Sequence, residues 1–253
     1  IVEQIRAKGS VIQIGSTTVR LARDFGFCYG VERAIDLAYA ARKVFADRRV
    51  FLLGEIIHNQ EVNRQLTEMG VVSIPNVDHE AMVATMTAED VVIVPAFGAE
   101  TRLMKLIAAR GCMVVDTTCG DVMSVWKRVR QYAKTGFTSI IHGKASHEET
   151  RATSSRAMGD DGMGNYLVVL TLADVDYVCD YIRNGGDKEA FLKRFPAGSH
   201  SDGFDPDQHL TRIGVANQTT MLKSETEEVQ RRLRQAVLDR HGPEAGITNF
   251  QVF

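Results

Sequence analysis

The 253-residue sequence lacks the features of a membrane protein and of a nucleic-acid-binding protein. No apolar run approaches the roughly 20 residues that a membrane-spanning helix needs. The formal net charge is −2 and no block of lysine and arginine stands out. This composition argues against nucleic-acid binding through bulk charge and against a polybasic membrane anchor. We therefore expect no nucleic-acid partner and no membrane attachment.

Common cofactor and phosphate motifs are also missing. The sequence has no CxxC pair, so neither a local zinc ribbon nor a thioredoxin-like redox motif is expected. It has no GxxxxGK(S/T) loop and no GxGxxG turn after a strand, so any phosphate must be bound by side chains. Four cysteines without an export signal are typical of reduced thiols in a cytoplasmic protein.

The sequence does contain short apolar runs that alternate with helical patterns. Unbroken, β-branched runs of four or five residues are typical of strands buried on both faces of a parallel sheet. The predicted strands are 50–53, 91–94, 113–116, 138–141, 166–170 and 212–216. The predicted helices are 31–45, 61–70, 99–111, 121–136 and 224–242. This alternation predicts an α/β fold of repeated small αβ domains with mainly parallel sheets.

Two such domains are expected, at residues 17–116 and 117–253. The order turn, cysteine, helix occurs twice, in FGFCYGVERAIDLA and VVDTTCGDVMSVWKRV, and marks corresponding points of the two domains. The stretch near 185–210 is rich in Gly, Pro, Asp and Ser, which is typical of a surface insertion. Ser224 and Glu227 have the spacing of a capping box and predict the start of the last helix.

Two of the four cysteines, Cys28 and Cys119, stand at predicted helix starts. The free N–H groups and partial positive charge of a helix N-terminus favour the thiolate, which attacks carbon or binds metal. A small buried side chain near a tight turn is the alternative, and for one cysteine it is the more common role. The matching contexts favour thiolate chemistry for the pair. Cys112 and Cys179 are expected in the core.

Three polar clusters each follow a predicted strand, in EIIHNQEV, IIHGKASHEET and VANQTTM. In parallel αβ sheets, ligands bind beyond the carboxyl ends of the strands, so the clusters are expected to outline one pocket. Histidines and a lysine there can hold an anion such as phosphate or diphosphate. A glutamate beside them can relay protons. These residue types leave a reductive, a hydrolytic and a transfer reaction open.

At these residues the sequence resembles a known family. Five segments occur in the family's order from about residue 17 onward: DFGFCYGVERAI, EIIHNQEV, VVDTTC, SIIHGKASHEET and GVANQTTMLKSETEE. They are similar to the signature segments of 4-hydroxy-3-methylbut-2-enyl diphosphate reductase, the LytB or IspH family. The similarity is strongest to the plant and cyanobacterial branch. Five long segments in sequence make the resemblance specific.

The resemblance implies an enzyme of the last step of the non-mevalonate isoprenoid pathway. Such an enzyme removes an allylic hydroxyl as water, with two electrons and two protons, and forms isopentenyl and dimethylallyl diphosphates. The resemblance also implies a 4Fe–4S cluster at the centre of three αβ domains arranged like a trefoil. Three cysteines hold three irons, and Cys28 and Cys119 match the first two of them. The family uses ferredoxin- or flavodoxin-type electron donors.

The resemblance also assigns roles in substrate binding and proton transfer. His58 and His147 match the family's diphosphate-binding histidines. Glu149 matches the acid that relays protons to the substrate. Thr219 matches a threonine near the substrate hydroxyl, with Gln218 beside it in the substrate pocket.

The sequence departs from the family pattern at several positions. Phe97 stands in a loop where many members carry a phosphate-contacting histidine, and Gly120 replaces the usual proline after the second cysteine. By this resemblance the third cysteine would follow a strand that begins in ITNFQVF, and neither it nor a third domain is present in the sequence. We therefore expect a C-terminally truncated chain with poor cluster retention and little or no turnover.

Two other functions stay open. A non-catalytic αβ module could bind a diphosphate through the histidines and threonine without redox chemistry. A transferase could use the Cys28 thiolate as a nucleophile, which would require a histidine within hydrogen-bond reach.

Overall fold

The computed structural model describes residues 2–23 and 26–252, without the side chains of Val2 and Ala245. Asp24 and Phe25, which begin the first signature segment, lie outside the described residues. The described part contains two four-stranded sheets and one two-stranded hairpin. Within each of the two larger sheets all strands are parallel, and helices connect successive strands. The predicted α/β class with parallel sheets is therefore confirmed.

The chain begins with helix α1 (Val2–Ala7) and an antiparallel hairpin of strands β1 (Val11–Ile14) and β2 (Thr17–Arg20). Gly15 lies in the hairpin turn with a φ of +59°, a conformation that glycine adopts without steric cost. Most hairpin residues are exposed. The sequence analysis did not predict this hairpin.

The first four-stranded sheet has the order β4-β3-β5-β6. Its strands are β3 (Val50–Leu53), β4 (Val71–Ile74), β5 (Val91–Val94) and β6 (Met113–Asp116). Its helices are α2 (Tyr29–Val44), α3 (Gln60–Glu68), α4 (His79–Ala84) and α5 (Thr101–Ala109). Strands β3 and β5 are buried along their whole length because helices cover both faces of the sheet.

The second sheet has the order β10-β9-β7-β8. Its strands are β7 (Thr138–His142), β8 (Tyr166–Val169), β9 (Ile213–Asn217) and β10 (Phe250–Val252). The longer helices around it are α6 (Gly120–Lys134), α7 (Glu148–Ala157), α8 (Leu172–Asn184) and α11 (Lys223–His241). The shorter ones are α9 (Lys188–Arg194), α10 (Pro206–His209) and α12 (Ala245–Thr248).

Both sheets have the same topology. In each, the second strand lies on one side of the first strand, and the third and fourth lie on the other side. The order in which strands are added therefore reverses between β3 and β5 in one sheet and between β7 and β9 in the other. Such switch points are where parallel αβ sheets bind ligands. The domain boundaries at 17–116 and 117–253 stay a prediction.

The stretch near 185–210 is more than a surface segment. Phe191, Phe195 and Phe204 are each no more than 6% exposed and belong to the core of the second sheet. Helix α9 begins at Asp187, whose side chain accepts the backbone N–H of Ala190. The Gly, Pro, Asp and Ser content of this stretch indicated a surface insertion, but its three phenylalanines pack into the core.

The start of α11 also differs from the sequence prediction. Leu222 is the N-cap residue and no side chain caps the helix, so the capping box predicted from Ser224 and Glu227 is wrong. A capping box is present instead at α8, where Thr171 and Asp174 bond reciprocally to each other's backbone N–H. None of the described helices is long and apolar enough to cross a membrane.

Candidate functional site

Two histidines from different sheets face each other where the two switch points meet. His58 lies in the loop after β3 and His147 in the loop after β7. Their Nε2 atoms are 3.3 Å apart and their rings meet edge to face, with centroids separated by 5.2 Å. The two residues, called the histidine pair below, thus join polar clusters that are 89 positions apart in the chain.

Hydrogen bonds determine where the imidazole protons of the histidine pair lie. Nδ1 of His147 accepts the backbone N–H of Glu149 at 3.1 Å and so caps α7, which leaves the ring proton on Nε2. Nδ1 of His58 lies 3.0 Å from Oε2 of Glu55 and donates to that carboxylate. Nε2 of His58 can then accept the Nε2–H of His147. Burial lowers the pKa of His147 and keeps its ring neutral near pH 7.

Glu148 lies beside the histidine pair. Its Oε2 is 3.9 Å from Nε2 of His58, and Asn76, which follows β4, donates to its Oε1 at 2.6 Å. Burial acts to raise the pKa of Glu148, but hydrogen bonds from the backbone and Asn76 and the nearby histidines outweigh it and lower that pKa. The carboxylate is therefore ionised at neutral pH and links the two sheets through Asn76.

The histidine pair and Glu148 also offer three potential metal-ligand atoms within 4.8 Å of one another. A metal on Nε2 of His147 would require the ring proton to move to Nδ1, where the N–H of Glu149 already points. A metal on Nδ1 would displace the same cap. The cap of α7 therefore disfavours a metal ion on His147.

Glu149 is buried, with 1% of its surface exposed. Thr219, after β9, donates its backbone N–H to Oε1 at 2.6 Å and its hydroxyl to Oε2 at 2.9 Å. Burial raises the pKa of Glu149, although both bonds from Thr219 act in the opposite direction. The carboxyl group consequently keeps a proton to higher pH than an exposed glutamate and shares a hydrogen bond with a hydroxyl.

The side-chain amide of Gln218 connects the loops after β7 and β9 and does not point into open space. Its Oε1 accepts the backbone N–H of Lys144 at 3.1 Å and the hydroxyl of Thr150 at 3.0 Å. Its Nε2 donates to the hydroxyl of Thr220 at 2.6 Å. These bonds hold the loop after β9 against the loop after β7.

Phe97, in the loop after β5, forms an aromatic wall beside the histidine pair. Its ring stacks on His58 at a centroid distance of 4.3 Å and an interplanar angle of 25°. It meets His147 edge to face at 5.5 Å. A phenylalanine cannot donate a hydrogen bond to phosphate, but here it restricts the ring planes of both histidines.

Cys28 and Cys119 are the N-cap residues of α2 and α6, as the sequence predicts. Cys28 is exposed and caps no backbone group with its sulfur. Cys119 is partly buried, and its N–H donates to the carbonyl of Ala96, next to Phe97. A methyl group on Gly30 would lie 2.4 Å from Sγ of Cys119. The sulfur of Cys119 therefore touches the first turn of the helix that begins at Cys28.

The other two cysteines lie in the core, as predicted. Cys112 donates its thiol to the carbonyl of Thr87 at 3.3 Å, and Cys179 packs in the core of the second sheet. Burial raises the pKa of Cys112 and raises the pKa of Cys179 to about 11. Neither is suited to thiolate chemistry.

The sequence analysis missed Glu55, Asn76 and Glu148 as members of this site. Glu55 stands three positions before His58, and Glu148 directly follows His147, so both were visible in the quoted clusters. Asn76 could not be found in the same way, because it follows β4, a strand that the sequence analysis did not predict.

Comparison with known proteins identifies relatives over most of the chain. Residues 19–246 match the family described as LytB protein. The chain is 51% identical over 243 residues to 4-hydroxy-3-methylbut-2-enyl diphosphate reductase of Synechococcus sp. strain RCC307, covering 96% of this chain and 58% of the relative. It is 49% identical over 253 residues to the reductase of the same name from Thermosynechococcus vestitus, covering 100% of this chain and 61% of the relative. The chain thus spans about 60% of the length of these relatives.

Solved structures show the same likeness. A structure of (E)-4-hydroxy-3-methyl-but-2-enyl diphosphate reductase matches with a TM-score of 0.63 and 26% identity, over 90% of this chain and 64% of that one. The corresponding Plasmodium falciparum reductase shares the fold, with a TM-score of 0.64 and 19% identity over 91% of this chain and 57% of that one. Since the family match extends over residues 19–246, this chain belongs to the LytB protein family.

Proposed function

We propose that this chain carries the substrate-binding and proton-donating residues of a 4-hydroxy-3-methylbut-2-enyl diphosphate reductase, together with two of its cluster ligands. Such an oxidoreductase performs the last step of the non-mevalonate isoprenoid pathway. The observation that carries the proposal is the meeting of two switch points. There His58 and His147 meet at 3.3 Å, and Glu149 of α7 bonds to Thr219 in the loop after β9.

The histidine pair is suited to hold the substrate's diphosphate. The Nε2–H of His147 can donate to a phosphate oxygen in place of His58 without losing the cap of α7. His58 stays oriented meanwhile, because its Nδ1–H donates to the carboxylate of Glu55. The N-terminus of α7 adds a favourable partial positive charge next to both rings.

Glu149 and Thr219 are suited to deliver a proton. The raised pKa of Glu149 extends its protonated form to higher pH, and a protonated Glu149 can reverse the hydrogen bond that it accepts from the Thr219 hydroxyl. That hydroxyl can in turn donate its own proton to a substrate oxygen. Thr219 thereby extends the reach of a carboxyl group that solvent does not contact. Gln218 has a supporting role, because its amide is already engaged by the neighbouring loops.

An iron–sulfur cluster, proposed to be 4Fe–4S, fits the two helix-start cysteines. Thiolates are the ligands of such clusters, and the sulfur of Cys28 is exposed and without a capping bond. Gly30 has no side chain that could cover the sulfur of Cys119. When bound, the cluster supplies electrons and a Lewis-acidic iron for the leaving hydroxyl. A ferredoxin- or flavodoxin-type protein is our proposal for the electron donor.

Calorimetry with two matched ligands tests the proposal. Both 4-hydroxy-3-methylbut-2-enyl diphosphate and dimethylallyl diphosphate, which lacks the hydroxyl, are titrated into the chain before and after anaerobic reconstitution with iron and sulfide. We expect both to bind the metal-free chain, with an affinity that His58→Ala reduces. A preference for the hydroxylated ligand is expected after reconstitution, and Cys28→Ser and Cys119→Ser are each expected to abolish it.

Other outcomes would redirect the assignment. Equal binding of both ligands before and after reconstitution, in a chain whose iron and sulfide content shows a bound cluster, would favour a diphosphate-binding module without redox chemistry. Failure of both ligands to bind the metal-free and the reconstituted chain would contradict the proposal.

A further inference from the structure

A cavity of about 520 Å³ lies along α6, and no residue of the histidine pair lines it. Four cationic side chains and one carboxylate contribute to its wall. The residues concerned are Lys127, Arg130, Lys134, Arg156 and Asp116, with Trp126 between them. The volume is within the range of small-molecule sites in proteins. The charge of the wall favours an anion.

Arg156 is the most buried of these cations, with 7% of its surface exposed. Its Nη1 donates to the carbonyl oxygens of Ala99 and Ala152 at 2.7 and 2.9 Å. Its Nε has no hydrogen-bond partner, and in the described part of the chain no carboxylate lies within ion-pair distance of it. Burial, together with the charge of Arg130, lowers the pKa of Arg156 to about 10. Carbonyl oxygens therefore satisfy part of the Arg156 guanidinium group, but no ion pair balances its buried charge, and a bound anion would do so.

The remaining charges of the cavity leave room for such an anion. Asp116 uses Oδ1 to accept the backbone N–H of Thr118 at 2.9 Å and the hydroxyl of the same residue at 2.5 Å. Lys134 is 4.0 Å from Asp160, an exposed and weak contact. Among the described residues, 2–23 and 26–252, neither Lys127 nor Arg130 forms an ion pair.

Trp126 lies at the cavity, so its fluorescence can report on a bound ligand. The guanidinium carbon of Arg156 lies 3.3 Å from the centre of its ring, a close cation–π contact. Trp126 is the single tryptophan of the chain and is 7% exposed. It also packs in the cluster against which Cys119 lies.

We propose that this cavity binds a small phosphate-class oxyanion through Arg156, Lys127 and Arg130. The guanidinium group of Arg156 is the central donor, and the exposed cations of α6 close over the ligand from the solvent side. This anion site is separate from the histidine pair, and its occupant would bridge α6 and Arg156 of α7. The inference does not depend on the proposed reductase activity.

Tryptophan fluorescence tests the inference directly. Inorganic phosphate is titrated into the full chain at constant ionic strength, with chloride as the balancing anion. We expect a saturable change in Trp126 emission. Arg156→Met should abolish the change, and Lys127→Met should weaken the apparent affinity about tenfold, since each removes a charge-assisted contact. His58→Ala should leave it intact, which separates this site from the histidine pair.

Three results would overturn the inference. The first is an emission that phosphate does not change in a saturable way. The second is a response that survives Arg156→Met, and the third is one that His58→Ala removes. If Arg156→Met does not fold by circular dichroism, the exposed double variant Lys127→Met/Arg130→Met decides instead. An unchanged affinity in that variant would also contradict the proposed site.

Discussion

At the scale of single residues, the pKa values of two adjacent glutamates are shifted in opposite directions. Burial raises the pKa of Glu149, whereas hydrogen bonds and the neighbouring histidines lower the pKa of Glu148 against the effect of its burial. The difference arises from surroundings rather than sequence. Glu149 faces one threonine inside the protein, while Glu148 faces Asn76 and the histidine pair at the surface.

This contrast predicts opposite pH dependences of stability. An unfolded glutamate titrates near 4.3. Glu149, with its raised folded pKa, stabilises the fold below that value and loses this contribution as the pH rises through its folded pKa. Glu148, with its lowered folded pKa, stabilises the fold above about 4.3 and loses this contribution as the pH falls through its folded pKa.

The measurement is the free energy of unfolding by urea as a function of pH for two matched variants. Relative to wild type, Glu149→Gln should gain stability as the pH rises from acid to neutral. Glu148→Gln should lose stability over the acidic part of the same range. Parallel curves for the two variants would show that the assigned environments are wrong.

His147 combines two functions that substitution can separate. In His147→Asn, the side-chain oxygen can still accept the N–H of Glu149 and cap α7, but the Nε2–H is lost. We expect near-wild-type thermal stability and about tenfold weaker diphosphate binding by calorimetry. His147→Ala should lose the cap as well, at about 1 kcal/mol of stability. Unchanged diphosphate binding in the asparagine variant would count against the anion role.

Sequence alone could identify the reactive residue types but not their partners. His58, His147, Glu149 and Thr219 follow predicted strands, so their place at the sheet edges could be inferred from topology. The proton position on His147 could not, because it depends on a backbone N–H that only the turn into α7 directs at the ring. Gln218 looked like a pocket residue, yet loop geometry engages its amide.

At the scale of elements, helices α2 and α6, which follow Cys28 and Cys119, differ in the space that their first turns leave for a side chain. In α2, a Cβ on Gly30 would meet the sulfur of Cys119 at 2.4 Å. In α6, a Cβ on Gly120 would meet nothing within 4 Å. Gly30→Ala should therefore displace the Cys119 sulfur and change the rate at which it reacts with a thiol reagent. Gly120→Ala should leave the reaction rate unchanged and stabilise the helix by up to about 1 kcal/mol.

Thiol-reaction kinetics with mass-spectrometric assignment of each adduct measures this effect. Equal Cys119 rates in the two alanine variants and wild type would contradict the close approach of the two helices.

The stretch near 185–210 offers an element-scale test of packing. Phe191 is fully buried, and its ring centroid lies 4.7 Å from that of Tyr181 and 5.2 Å from that of Phe195. Phe191→Ala should cost about 3–5 kcal/mol in the free energy of unfolding, measured with urea. The control is Val77→Ala at a 91% exposed position, where a change within about 0.5 kcal/mol is expected. Equal small effects would indicate a loosely attached segment.

Elements were predictable where one local signal dominated. Strands β3, β5 and β6 coincide with the predicted runs because short apolar runs are continuous there. Strand β4 was missed because two of its four residues are exposed and it lacks a continuous apolar run. In ITNFQVF, Ile247 and Thr248 belong to α12, so only Phe250–Val252 form a strand. Apolar content alone cannot distinguish a short helix from a strand.

At the scale of the whole molecule, two sheets of identical strand order meet at their switch points. The sequence showed two cysteine-led repeats, but no periodicity reveals how one αβ unit is placed against another. The contact between His58 and His147 and the contact of Cys119 with Gly30 supply that information. Together they place the two imidazoles against each other and the Cys119 sulfur against the first turn of α2, whose N-cap is Cys28.

The central claim is that Cys28 and Cys119 converge, and a short thiol cross-linker tests it most directly. The Cys112→Ser/Cys179→Ser background leaves only these two thiols, and dibromobimane bridges them only when they are close. Mass spectrometry of the digested protein is expected to show a Cys28–Cys119 bridge as the main product in the native state and its loss in urea. Single adducts on each cysteine without a bridge in the native protein would contradict the account.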